Sequence, residues 1–144
     1  MSTSRLHHLR DTIQTGWSLS SPVAATDIDF NVGHPEDETR RFDRRTHVIE
    51  FKYVQRFNEK RSLGRAKVND RIYADVWIKH MPDRDAVDMA EDQMEDICDE
   101  IDDRVKAAQK TFTGFSLVVV QNSQIINGPG YLRTMITVNG VRET

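Results

Sequence analysis

Cysteine is nearly missing from this sequence: Cys98 is the only one in 144 residues, so no disulfide forms within the chain. Long apolar runs are missing too. The longest are a few residues, as in Leu117–Val120, which excludes a membrane-spanning helix on sequence grounds. Residues 1–10 are polar, carry His7 and His8, and lack the apolar centre of a signal peptide. These absences predict a cytosolic origin. There is no internal repeat and no low-complexity tract. A Gly-rich phosphate loop is also lacking, because Gly128-Pro129-Gly130 opens a strand rather than a helix.

What is present is charge. Charged residues make up 30% of the chain and hydrophobic ones 38%, the balance of a globular protein with a very polar surface. A chain of about 150 residues buries roughly two-thirds of its unfolded surface, so a core forms without staples. We expect one domain over residues 1–144. The net charge of −3 hides a strong segregation. Asp83 to Asp103 holds eleven acidic residues and one basic residue, Arg84. The middle of the chain is basic, with Arg40, Arg41, Arg44, Arg45, Arg56, Lys60, Arg61, Arg65 and Lys67. Such polarity suits head-to-tail contact between identical subunits, basic patch to acidic patch. The competing reading is two independent solvated faces. Arginine outnumbers lysine fourteen to six and aspartate outnumbers glutamate fifteen to eight, a bias of salt-loving archaea or of a GC-rich genome.

Periodicity sets out the elements. Leu6, Leu9, Ile13 and Trp17 recur at helical spacing behind a Ser2-Thr3-Ser4 cap, and Ser18 to Pro22 is a linker. Ile28, Phe30 and Val32 alternate with Asp27, Asp29 and Asn31, as in a half-buried strand. Residues 33–45 read as an exposed loop. Val48 to Phe57 and Arg65 to Met81 form a hairpin around a charged turn. One strand face carries Ile49, Phe51 and Tyr53, and the other Val48, Glu50, Lys52 and Val54. Both strands are long enough for the tip, about Arg56 to Lys67, to project. Val87, Ala90, Met94, Ile97, Ile101, Val105 and Ala108 then make one apolar stripe over a long helix. Asp83 or Asp85 caps it, and Lys106 and Lys110 sit in its last turn, complementing the helix dipole. Phe112 to Val120 with Ile125-Ile126, and Leu132 to Val138, are the closing strands. The class expected is α+β.

Each motif has a plain rival. Asp27, Asp29, Asn31 and Glu38 fall at calcium-loop positions 1, 3, 5 and 12, but Val32 occupies position 6, where the sharp turn needs Gly. Asp88, Asp92, Asp96, Asp99 and Asp103 line the outer side of the helix. A carboxylate metal site of the ferritin type needs inward Glu and His from several helices, so a solvated or partner-facing surface is the reading kept. His7, His8, His34, His47 and His80 share no ligand spacing with one another or with Cys98. The acidic neighbours of Cys98 disfavour a thiolate. We expect no cofactor, no metal and no enzyme activity. The tip residues Arg56, Lys60, Arg61, Arg65 and Lys67 serve either contact with another subunit or DNA phosphates without sequence readout.

An N-terminal helix with Trp17 near its end, a strand, a charged loop and a long hairpin come first. Arg71-Ile-Tyr-Ala-Asp-Val-Trp-Ile78, the acidic helix and Tyr131-Leu-Arg-Thr-Met-Ile-Thr-Val138 follow. This order and texture resemble the tail terminator and tail-completion (neck) proteins of long-tailed viruses, lambda-like in architecture, those of haloarchaeal tailed viruses included. The resemblance covers most of the chain and rests on no invariant motif. It implies a mixed, mainly antiparallel sheet with a long projecting hairpin, packed by one long amphipathic helix and a short N-terminal helix. It implies a structural virion protein forming a homohexameric ring between tail tube and head connector. Partners would be its own copies, the tail tube protein, the head–tail connector protein and DNA sliding through the lumen, with no membrane. The place would be the virion tail or neck, after assembly in the host cytoplasm. The alternatives are a head-side connector or adaptor (head-completion) protein and a small nucleic-acid-binding module using the basic hairpin.

Overall fold

In the computed structural model, which describes residues 5–18, 21, 23–32, 41–60, 66–108, 116–122 and 125–143, two helices pack on one face of a mixed sheet. The order is α1 (Arg5–Thr15), β1 (Ile28–Val32), β2 (His47–Lys60), β3 (Ala66–Lys79), α2 (Arg84–Ala108), β4 (Ser116–Asn122), β5 (Ile126–Gly128) and β6 (Tyr131–Glu143). A single 3-10 turn, Ala25–Asp27, leads into β1.

The sheet has six strands in the order β1-β2-β3-β6-β4, with β5 also on β6. Only β1 and β2 are parallel, and the rest of the ladder is antiparallel. The fold is therefore α+β, with a mixed, mainly antiparallel sheet. β4 and β5 pair with successive halves of the same edge of β6, so they act as one interrupted strand. The interruption falls after Asn122, and Gln121 still pairs with Thr137.

The period of two sorts each strand into two faces. Ile49, Phe51, Ile72, Ala74, Val76, Ile78, Leu132, Ile136 and Val138 point under the helices and are buried. Ile28 and Phe30 join them from the edge. The α2 stripe from Ala90 to Ala108 covers them, and Leu6, Leu9, Ile13 and Trp17 of α1 complete the same core. Trp17 meets Phe30 edge to face, with ring centroids 5.6 Å apart, and its Nε1–H donates to the Val23 carbonyl at 2.8 Å. Asp83 caps α2, its Oδ1 accepting from the Ala86 N–H at 2.8 Å. The expected Ser2–Ser4 cap of α1 lies outside the described residues.

The hairpin differs from expectation. β2 and β3 pair from His47↔Ile78 to Lys60↔Ala66, with a bulge between Tyr53 and Gln55. However, β6 runs beside β3 as far as Lys67↔Glu143. The outer half of the hairpin is thus flanked by β6, and through it by β4, rather than being a free two-stranded arm. The physical reason is that β6 extends to Glu143, well past the apolar alternation that ends at Val138.

Candidate functional site

The acidic surface lies where the stripe predicts. With the apolar side of α2 on the sheet, Asp88, Asp92, Asp99 and Asp103 are exposed, and Asp96 is half-buried. Glu91 and Glu95 extend the same exposed ridge. Asp102, half-buried, holds Lys106 one turn on at 2.7 Å and raises the lysine pKa through that hydrogen bond. One acid leaves the pattern: Glu100 is buried, although it lies beside the stripe residue Ile101. Its Oε1 accepts the Ser18 N–H just beyond α1. Arg104 lies one turn further, its Nε 3.9 Å from the same oxygen. Glu100 therefore ties α2 to the end of α1.

Of the tip residues, Arg56 and Lys60 lie on β2 opposite Asp70 and Ala66, and Lys67 lies on β3 opposite Glu59. Arg61 and Arg65 lie outside the described residues. Glu38 and His34 also lie outside them. Asp29 Oδ2 accepts from Asn31 Nδ2 at 3.0 Å on β1, and no group of three His, Cys, Asp or Glu among the described residues is placed to hold a metal ion. His47 Nε2 lies 2.8 Å from Gln93 Oε1 of α2, and His80 Nδ1 donates to the Met81 carbonyl at 2.8 Å, so the two rings serve separate places. Cys98 is half-buried, and burial, followed by Asp99 and Glu95, pushes its thiol up to about 12. That thiol is no nucleophile at neutral pH.

Periodicity gives no warning of what lies on the sheet face away from the helices. Register places Val48, Glu50 and Lys52 of β2, Tyr73, Asp75 and Trp77 of β3, and Arg133 and Met135 of β6 on it. Glu50 and Asp75 are cross-strand neighbours, and both are fully buried. Lys52 Nζ sits between them, 3.3 Å from Glu50 Oε2 and 2.9 Å from Asp75 Oδ2. Arg133 grips Asp75 with two bonds of 3.0 Å, from Nε to Oδ1 and from Nη2 to Oδ2. That hydrogen bond raises the Arg133 pKa. Arg41, from the connection between β1 and β2, donates Nε to Glu50 Oε1 at 2.6 Å.

Trp77 joins the two ends of the network. The Arg41 guanidinium carbon is 3.8 Å from its ring centroid and that of Arg133 is 4.4 Å away, both cation–π contacts. Tyr131 packs beside it, with centroids 5.3 Å apart. Arg41, a few residues before β2, is thus pinned against the back of the sheet. The network leaves polar atoms unused: Trp77 Nε1 is buried with no hydrogen-bond partner, and Glu50 Oε2 has only the charge of Lys52. The sequence signal for this face is charge in mid-strand: Glu50 and Lys52 on β2, Asp75 on β3 and Arg133 on β6. No spacing rule brings Glu50, Asp75 and Arg133 together before register is known.

No family model and no curated protein sequence matches this chain. No helix among the described residues is long and apolar enough to cross a membrane.

Proposed function

We propose that the protein is a structural subunit of a tailed virus particle, a tail terminator or closely related neck ring built from copies of itself. It joins the tail tube protein to the head–tail connector protein and lets DNA pass through its lumen. In this reading it turns over no substrate. The observation that carries the proposal is the stretch of β2 edge that β1 leaves without a paired strand among the described residues. β1 pairs only with its first five residues, His47 to Phe51. Beyond Phe51, β2 continues to Lys60 with no strand on that side among the described residues. A long open edge is a template for strand addition, and natural proteins either cover such edges or use them in assembly. A ring requires a heterologous contact whose rotation closes, and an edge on one side of the sheet with a charged helical ridge on the other supplies two different surfaces. Light scattering of the purified chain and negative-stain imaging of particles carrying it test the proposal. A closed oligomer located at the neck supports it. A chain that stays monomeric at high concentration and is absent from particles overturns it.

A further inference from the structure

The two sides of the molecule carry opposite charge. On the helical side, Asp88, Glu91, Asp92, Glu95, Asp99 and Asp103 are exposed along α2. On the other side, Lys52, Arg71, Lys79 and Arg133 share the back face of the sheet, and Arg41 is laid over it. Register also puts half-buried Asp29 of β1 on that strand face, and Glu59 and Glu143 at its outer end, but the carboxylates at its centre, Glu50 and Asp75, are fully buried and already held by Arg41, Lys52 and Arg133. They neutralise those cations from within and show no surface of their own. What the back face presents to solvent is cationic at Lys79, which is exposed, and at Arg133, which keeps 29% of its side chain in solvent. Around these stand half-buried Tyr73, Tyr131 and Met135 and the exposed Ile126. Arginine, tyrosine, tryptophan and methionine are the residues enriched at the centres of protein interfaces. Arg44 and Arg45 are exposed a few residues after Arg41, beside the exposed Asp43, so this stretch adds a net positive charge.

We propose that this back face receives the acidic α2 ridge of a second copy, so that copies associate sheet to helix in one direction. The proposal rests on the self-assembling role above and adds which two surfaces meet. Charge complementarity selects the occupant: the chain itself carries a ridge of opposite sign, long enough at 25 residues to lie across several strands. The contact is heterologous, as ring closure demands. It leaves the β2 edge free, so both devices can act in one particle.

The test uses the full chain and exposed residues outside the buried network. Arg44→Glu with Lys79→Glu reverses the sheet face, and Asp92→Lys with Asp99→Lys reverses the ridge. Circular dichroism first establishes that each variant is folded. Light scattering at low salt is expected to show association weakened at least tenfold in each, and restored when all four changes are combined. In an equal mixture of the two double variants the unaltered surfaces match each other and so do the reversed ones, so alternating copies are expected to associate although neither variant does so alone. Oligomers that persist unchanged in both variants would overturn this proposal and leave the ring itself standing. A wild-type chain that is monomeric throughout overturns both. A labelled DNA duplex that binds the wild type and is lost only with Arg44→Glu and Lys79→Glu, while self-association is unchanged, gives the face to nucleic acid instead.

Discussion

Asp75 shows what one residue does on the back face. It is fully buried and answers to two cations at once, Lys52 and Arg133. Replacing one member of a buried ion network strands the others, at a cost of about 3–5 kcal/mol. Asp75→Ala is therefore expected to lower the free energy of unfolding by that much, and Arg133→Ala by less, because Arg133 is partly solvated. Urea unfolding of the two variants checks the order, and equal losses would deny Asp75 its central place. Cys98 gives a pH test. Its thiol sits at about 12 when folded and near 9.0 in the open chain. The folded state thus holds the proton more tightly, so stability is intact below pH 9 and falls as pH rises toward 12, by at most about 1.4 kcal/mol per unit. The Cys98→Ser chain lacks that alkaline loss. Iodoacetamide at pH 8 is expected to label native Cys98 about a thousandfold more slowly than an unfolded control, since the thiolate is the reactive form. Gly128 is bounded by Tyr131: a Cβ there would stand 2.3 Å from the ring carbon bearing the hydroxyl. Gly128→Ala displaces that ring from Trp77, and a loss of about 1–3 kcal/mol is expected by thermal unfolding.

Elements were the most legible level. The α2 stripe reads directly as a helix because seven apolar residues at steps of three and four leave one way to bury them together. The alternations in β1, β3 and β6 likewise name their buried faces. Three things stayed hidden. Glu100 is hidden because a carboxylate beside the stripe reads as solvated, and only the end of α1 shows what it caps. The length of β6 past Val138 is hidden because its tail has no alternation of its own and is held by pairing with β3 and β4. The break between β4 and β5 is placed a little later than the polar run of residues 121–124 suggests. The α1–α2 junction is a testable unit. Gly16 leaves room for Arg104, whose Cδ would lie 2.9 Å from an added Cβ. Gly16→Ala is expected to push Arg104 away from Glu100 and loosen α1 from α2, costing about 1–2 kcal/mol despite the higher helix propensity of alanine. Hydrogen exchange localises the effect: faster exchange across α1 with β3 unchanged is the expected pattern, and uniform acceleration would contradict a local junction.

For the whole molecule, strand order and the separation of charge decide behaviour, and neither is local in sequence. Nothing in residues 28–51 announces that β1 lies parallel to β2 or that Arg41 lies over the back of the sheet. The acidic segment reads as a run, and the cations of the hairpin tip read as its counterpart. Register adds a second set of cations on the back face of the sheet, Lys52 on β2, Arg71 and Lys79 on β3 and Arg133 on β6, far apart along the chain. This arrangement makes opposite demands of salt. Within one copy, the carboxylates crowded along α2 repel one another, and screening relieves that repulsion. Between copies, the acidic ridge and the cationic face attract, and screening weakens that attraction. The Debye length falls from about 10 Å at 0.1 M to about 3 Å at 1 M, which spans the spacing of exposed charges on both surfaces. Raising salt across that range should therefore raise the melting temperature of a dilute, monomeric sample while raising the dissociation constant of the oligomer. Calorimetry at low concentration and light scattering at high concentration read the two trends separately. If stability and association move together with salt, segregated charge governs neither, and the β2 edge is left as the surface that joins the copies.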